Sequence, residues 1–182
     1  IPTECNRCVK PYPPRRHKRC ARAKMGPMTF LHTQEFGTPN GEAVVLLSSI
    51  ATTSDAWSEV IPALSGYRVI TVDHRGHGGS GVPSERPTKV GTLGRDVLAA
   101  LDELGVERFS VVGVSLGGAI AQWLAANSGC VDKAVFAATA TFLGGEEAWE
   151  QKINTALHDG TSGLTPTPVS YTHLRAHETV LD

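Results

Sequence analysis

From about residue 43 onward, two kinds of hydrophobic spacing alternate along the chain. Ala43-Val44-Val45-Leu46-Leu47 is an unbroken apolar run. Tyr67-Arg68-Val69-Ile70-Thr71-Val72-Asp73, Phe109-Ser110-Val111-Val112 and Lys133-Ala134-Val135-Phe136-Ala137-Ala138 are similar short runs. Such segments predict strands of a parallel sheet buried on both faces. Between them the period lengthens. Trp57, Val60, Ile61 and Leu64 predict a helix that Ser54 or Asp55 can cap. Thr92 to Leu104 carries apolar residues at helical spacing and is closed by Gly105. Ala119 to Ala125 reads as a buried helix, and Ala148 to Leu157 as a further one. Thr29-Phe30-Leu31-His32 predicts a short edge strand, and Gly37-Thr38-Pro39-Asn40-Gly41 a turn. Strands that alternate with helices predict an α/β fold, a mostly parallel sheet with helices on both faces.

Composition changes this picture only at the ends. The 182 residues, 41% of them apolar, are enough for one domain with its own core. Residues 1–24 hold eight of the 17 Lys and Arg and one of the 18 Asp and Glu. The rest is acidic, nine basic against 17 acidic residues, which argues against a nucleic-acid partner. Residues 1–27 are Pro- and Arg-rich without periodicity and are expected to be a disordered or untranslated leader. Cys5, Cys8 and Cys20 with His17 lack the spacing of a zinc site, and Cys130 reads as a plain small residue. No apolar run approaches the ~20 residues of a membrane span, and no basic-then-apolar signal peptide is present. The cytoplasm is the expected location. Val169-Ser170-Tyr171-Thr172-His173-Leu174-Arg175-Ala176-His177-Glu178-Thr179 resembles one reading frame of a transposase adapter used to prepare DNA for sequencing. Residues 168–182 are therefore read as an artefact, and His173 and His177 are not recruited as catalytic groups. That leaves 28–167 as the partial core.

The densest chemical signal is Gly113-Val114-Ser115-Leu116-Gly117-Gly118. It follows a strand-like run and leads into a helix-like one. Strand, G-x-S-x-G, helix is the nucleophile elbow of α/β-hydrolases. The turn is so tight that the serine backbone is strained, and Gly113 and Gly117 supply the room. The hydroxyl then stands at the top of the sheet over a helix N-terminus that favours developing negative charge. A second Gly-rich stretch, Asp73-His74-Arg75-Gly76-His77-Gly78-Gly79-Ser80-Gly81, reads as a tight, shaped loop. Asp73 and Arg75 are available to bond its carbonyls and amides. His77 reads as bracing that loop rather than as a catalytic base.

From roughly Ala43 to Leu157 the chain resembles the α/β-hydrolases, and among them the 3-oxoadipate enol-lactonases. The D-x-R-G-x-G loop and the elbow are common to the whole superfamily. The narrower resemblance rests on Ile50-Ala51-Thr52-Thr53 with Trp57 six residues after Ala51, on Ser115-Leu116-Gly117-Gly118 with Gln122-Trp123-Leu124-Ala125, and on Ala138-Thr139-Ala140 followed by Trp149. One departure is visible: Ser48 and Ala51 stand where the family's oxyanion loop usually has Asn and Gly. The resemblance implies a carboxylic ester hydrolase of aromatic-compound catabolism acting on a small lactone or ester. Ser115 would be its nucleophile, and the N–H groups of Leu116 and Ile50 would hold the oxyanion. Trp123 would either line the substrate pocket or pack in the core beneath the sheet top. No metal or cofactor is implied. Another serine α/β-hydrolase, such as a carboxylesterase or a carbon–carbon bond hydrolase, and a non-catalytic binding protein of the same fold are the alternatives.

In this fold the acid and the histidine follow the nucleophile in chain order. Asp132, His158 and Asp159 are the only candidates between the elbow and the adapter-like tail. Asp132 starts a strand, at the wrong end of the sheet. His158-Asp159-Gly160 closes a helix where the family begins its cap. The triad acid and histidine are therefore expected to be absent, as in a hydrolase fold incomplete at the C-terminus, with the strand Lys133–Ala138 left as a sheet edge and the fragment inactive by itself.

Overall fold

The computed structural model describes residues 29–82, 88–142, 146–160 and 179–181. The leader and nearly all of the adapter-like tail lie outside these described residues. In chain order the elements are β1 (Thr33–Gly37), β2 (Ala43–Leu47), β3 (Arg68–Val72), α1 (Val90–Glu103), β4 (Phe109–Val114), α2 (Leu116–Asn127), β5 (Val131–Ala137), α3 (Glu146–Asp159) and β6 (Thr179–Leu181). They form one sheet in the order β1-β3-β2-β4-β5-β6. The four central strands are parallel; β1 and β6 run antiparallel along the two edges.

Because successive side chains of a strand point to opposite faces, each apolar run feeds two cores. Val45, Leu47, Ile70, Val72 and Val111 join Leu93, Val97, Leu101, Ile120 and Leu124 of α1 and α2 on one face. Val44, Leu46 and Val69 meet Trp57, Ile61 and Leu64 on the other. This is the α/β architecture, with helical segments on both faces, that the spacing predicts.

Four local expectations are corrected. The stretch from Trp57 to Leu64 is not an α-helix but two 3₁₀ helices, Ser54–Trp57 and Ile61–Leu64. Pro62 lacks the N–H that a continuous α-helix would need, and three-residue closures such as Val60 N–H to the Trp57 carbonyl replace it. Thr53, rather than Ser54 or Asp55, supplies the capping oxygen, which accepts from the Asp55 amide. The edge strand starts at Thr33. The residues before it instead accept from the chain after β3, Phe30 from the Gly81 N–H and His32 from the Asp73 N–H. Nor is β5 an edge: β6 pairs with it through Ala134, Val135 and Phe136.

Beside β2 the chain order reverses. The connection from β2 leads to β3 on one side, and β4 returns to the other. In an open parallel sheet the carboxyl ends of the strands at such a switch point form a crevice. The two loops singled out by the sequence, after β2 and after β4, lie there.

Candidate active site

Leu47 and Gly113 are register partners on β2 and β4, so the loops that leave them start side by side. After Val114 the chain turns at Ser115 with φ 53° and ψ −112°, outside the usual L-residue regions. The Ser115 N–H still donates to the Ala137 carbonyl of β5 (2.9 Å), and α2 begins at once, Ala119 N–H reaching the Ser115 carbonyl at 3.0 Å. A Cβ on Gly113 would collide with the Gly117 carbonyl, and one on Gly117 with that of Leu47. Both positions therefore need glycine. The Gly117 N–H also donates to the Ser48 carbonyl (3.1 Å), tying the elbow to the loop after β2. Leu116, the first residue of α2, has an N–H without an acceptor inside its own helix.

The loop after β2 is held from several sides. Ser48 is buried; its hydroxyl accepts from Trp57 Nε1 (2.9 Å) and donates to the Thr53 carbonyl (3.0 Å). Ala51 has φ 60°, and Ala138, just beyond β5, has φ 46°. With Ser115, the positive-φ non-glycine residues described all lie just past the carboxyl ends of parallel strands. Strained backbone of this kind concentrates at functional sites.

The Gly-rich loop after β3 supplies the remaining holds. Asp73 is buried and accepts from the Ser54 N–H (2.8 Å) and the Gly79 N–H (3.1 Å). Arg75, expected to bond loop carbonyls, instead forms a two-pronged pair with Asp96 of α1, at 2.5 and 2.6 Å. His74, which sequence reasoning left without a role, donates from Nε2 to the Ser48 carbonyl (2.9 Å). Burial lowers its pKa below 6.5, partly opposed by that same bond, so the ring is held neutral. His77 accepts the Ala51 N–H at Nε2 (3.0 Å) and bonds the Arg75 carbonyl through Nδ1 (3.2 Å). Only a D-x-R-G-x-G loop adjoining the loop after β2 could have signalled these contacts, and that adjacency is tertiary.

A cavity of about 420 Å³ opens between these loops, lined among others by Ile50, Leu116, His74, His77, Val82 and Leu93. Two expected site residues, Ile50 and Leu116, thus share one cavity wall. Trp123 is not among its lining residues. Its indole lies against Gly91 and Gly94 of α1, with the Arg95 guanidinium 5.9 Å from the ring centre.

Among the described residues, no histidine or carboxylate hydrogen-bonds the Ser115 hydroxyl. Asp132 pairs with Arg108 near the start of β5, the far end of the sheet from the elbow. His158 and Asp159 bond each other, exposed, at the end of α3. Cys130, expected to be a plain small residue, is buried and disulfide-bonded; the other three cysteines lie outside the described residues.

A model of the alpha/beta hydrolase fold family matches residues 42–157. The 3-oxoadipate enol-lactonase 1 of Acinetobacter baylyi is 34% identical over 147 residues, covering 80% of this chain and 53% of the relative. The enol-lactonase 2 of the same organism is 31% identical over 139 residues, with 75% and 52% covered. A solved enol-lactonase from Burkholderia xenovorans LB400 superposes with a TM-score of 0.71 at 32% identity, over 75% of this chain and 54% of that one. The chain spans about half the length of the curated relatives it matches.

Proposed function

The chain belongs to the alpha/beta hydrolase fold family, and from that premise we propose that it carries the nucleophile and oxyanion site of a serine hydrolase that opens an enol-lactone. The observation that carries the reading is Ser115 itself. It is a non-glycine residue at φ 53°, wedged between two obligatory glycines at the switch point of a parallel sheet. Strain of this kind is retained where it holds a reacting group in place.

In this reading Ser115 Oγ adds to the lactone carbonyl, and the ring C–O bond breaks to give an acyl-enzyme. The released enol tautomerises to the ketone while still joined to the acyl chain. Water then hydrolyses the ester and regenerates the serine. The tetrahedral oxyanion is held by the N–H of Leu116, reinforced by the α2 dipole, and by that of Ile50 across the cavity. Losing one such donor costs ~10²–10³ in rate. Trp123 is assigned to helix packing, on its contacts with Gly91 and Gly94. The base and the acid are assigned to polypeptide outside the described residues. Without them Ser115 remains a weakly nucleophilic alcohol, and the described core by itself is expected to fall ~10⁴-fold or more short of a complete triad.

Support for lactone rather than simple ester chemistry is the similarity to two enol-lactonases and the Gln122-Trp123-Leu124-Ala125 continuation of the elbow. Phenylboronic acid forms a tetrahedral adduct with such a serine and needs no turnover. It is expected to bind the chain and not the Ser115→Ala variant; equal binding by both overturns the nucleophile. Substrate class is decided by joining residues 29–160 to the remaining half of an enol-lactonase relative. The reading expects 3-oxoadipate enol-lactone to be preferred over 4-nitrophenyl acetate, and the reverse preference would make the parent a carboxylesterase.

A further inference from the structure

Two imidazoles hold the loop after β2 at residues that flank Ile50 in the chain. His74 Nε2 holds the Ser48 carbonyl at 2.9 Å and His77 Nε2 holds the Ala51 amide at 3.0 Å. The ring of His77 has only one state compatible with its bonds. A backbone N–H can only donate and a carbonyl can only accept. Nε2 must therefore be bare toward Ala51, while Nδ1 carries the proton toward the Arg75 carbonyl, 3.2 Å away. The imidazole is neutral and in its Nδ1–H form. The residue it grips is the one in this loop whose backbone is strained, Ala51 at φ 60°. Strained backbone relaxes unless its surroundings over-determine it.

We propose that His77, with His74 beside it, is a positioning residue for the oxyanion loop: its neutral ring takes the Ala51 N–H and so fixes the turn that presents the Ile50 N–H, and protonation of Nε2 releases that turn. The proposal rests on the Ser115 reading for its catalytic meaning, but the clamp itself is a statement about two hydrogen bonds. Protonated, Nε2 would place an N–H against the N–H of Ala51, and attraction would become repulsion. The His74 ring meets that of His77 edge to face, 5.9 Å between centres. The Arg75 guanidinium is bound by Asp96 of α1, and the Asp73 carboxylate by the amides of Ser54 and Gly79. Among the described residues, the rest of the cavity wall, Ile50, Val82, Thr88, Leu93 and Leu116, is uncharged. An acid-sensitive oxyanion loop follows, separate from any titration of a triad histidine.

The full chain, ¹⁵N-labelled, is titrated from about pH 8 to about pH 5 by NMR, across the range where histidines ordinarily titrate. The expected result is a His77 ring protonated at Nδ1 at the upper end, with the Ala51 amide proton shifting in step with His77. In His77→Gln, whose amide oxygen can accept from Ala51 at any pH, that shift disappears. Phenylboronic acid reads the consequence at Ser115. Its affinity is expected to fall about tenfold in His77→Ala, the scale of one lost hydrogen bond, and to return in His77→Gln. Wild-type affinity measured relative to His77→Gln should decline with the same pH midpoint as the Ala51 shift. A His77 ring protonated at Nε2 instead, or an Ala51 amide indifferent to its titration, overturns the clamp. Undiminished boronate binding by His77→Ala overturns its link to the oxyanion site. Should the wild-type chain bind no boronate at all, it is the Ser115 reading that fails, and the Ala51 titration still decides the clamp.

Discussion

At Ala51 a methyl group sits on a backbone with φ 60°, a conformation that costs an L-residue roughly 1–2 kcal/mol and glycine almost nothing. Ala51→Gly is therefore expected to raise stability, by up to about 1 kcal/mol after the extra freedom of glycine in the unfolded chain is deducted, as read from the urea unfolding midpoint. His74 provides a test of the opposite kind. Its buried ring has a pKa lowered from 6.5, so the unfolded chain binds the proton more readily than the folded one. Its contribution to stability is complete above about pH 6.5 and is lost as the pH falls from there toward the lowered folded-state value. His74→Gln keeps a donor for the Ser48 carbonyl and does not titrate. Urea midpoints measured across that window should slope less steeply in the variant, and an unchanged slope would show that the ring does not contribute.

Helix packing turns on a few positions without side chains. A Cβ on Gly94 of α1 would enter the Trp123 ring of α2, so the two helices approach as closely as they do because one of them lacks a methyl group there. Gly94→Ala is expected to cost about 1–3 kcal/mol from overpacking, although alanine is intrinsically the better helix former by ~1 kcal/mol. In a Trp123→Leu background the clash is gone and only the propensity gain is left, so the same change should become neutral or stabilising. The sign reversal in a double-mutant cycle separates a packing tryptophan from one that faces substrate. Additive effects would count against the packing assignment. Farther along α1, the buried pair of Asp96 with Arg75 anchors the loop after β3, so α1 sets the position of the His74–His77 segment.

For the molecule as a whole, the sheet is the shared wall of both cores. Leu46 and Leu47 are neighbours in the chain, both fully buried, yet they face opposite layers. Leu46→Ala and Leu47→Ala are each expected to cost about 2–5 kcal/mol. Because both layers rest on one set of strands, each variant should shift a single common unfolding transition. Two separable transitions would mean that the layer of 3₁₀ helices melts independently of α1 and α2.

What the sequence determined by itself is local. The unbroken apolar runs at 43–47 and 109–112 specify strands buried on both faces, because only such strands can use every side chain. The glycines at 113 and 117 specify a turn too tight for any other residue. Those two signals identified the fold and the position of Ser115. The helix read at Trp57–Leu64 gave way to two 3₁₀ helices because the same apolar spacing serves either form, and the absent amide of Pro62 decides between them only once the sheet fixes both ends. The role of Arg75 was misjudged for a related reason. Its partner, Asp96, lies 21 residues away, across a contact that only the packing of α1 creates. Likewise the grip of His74 and His77 on Ser48 and Ala51 depends on β2 and β3 lying side by side in the sheet, an adjacency made by strand order. Chain spacing carries information about which residues share a face. Which loops share an edge is settled when the strands pair.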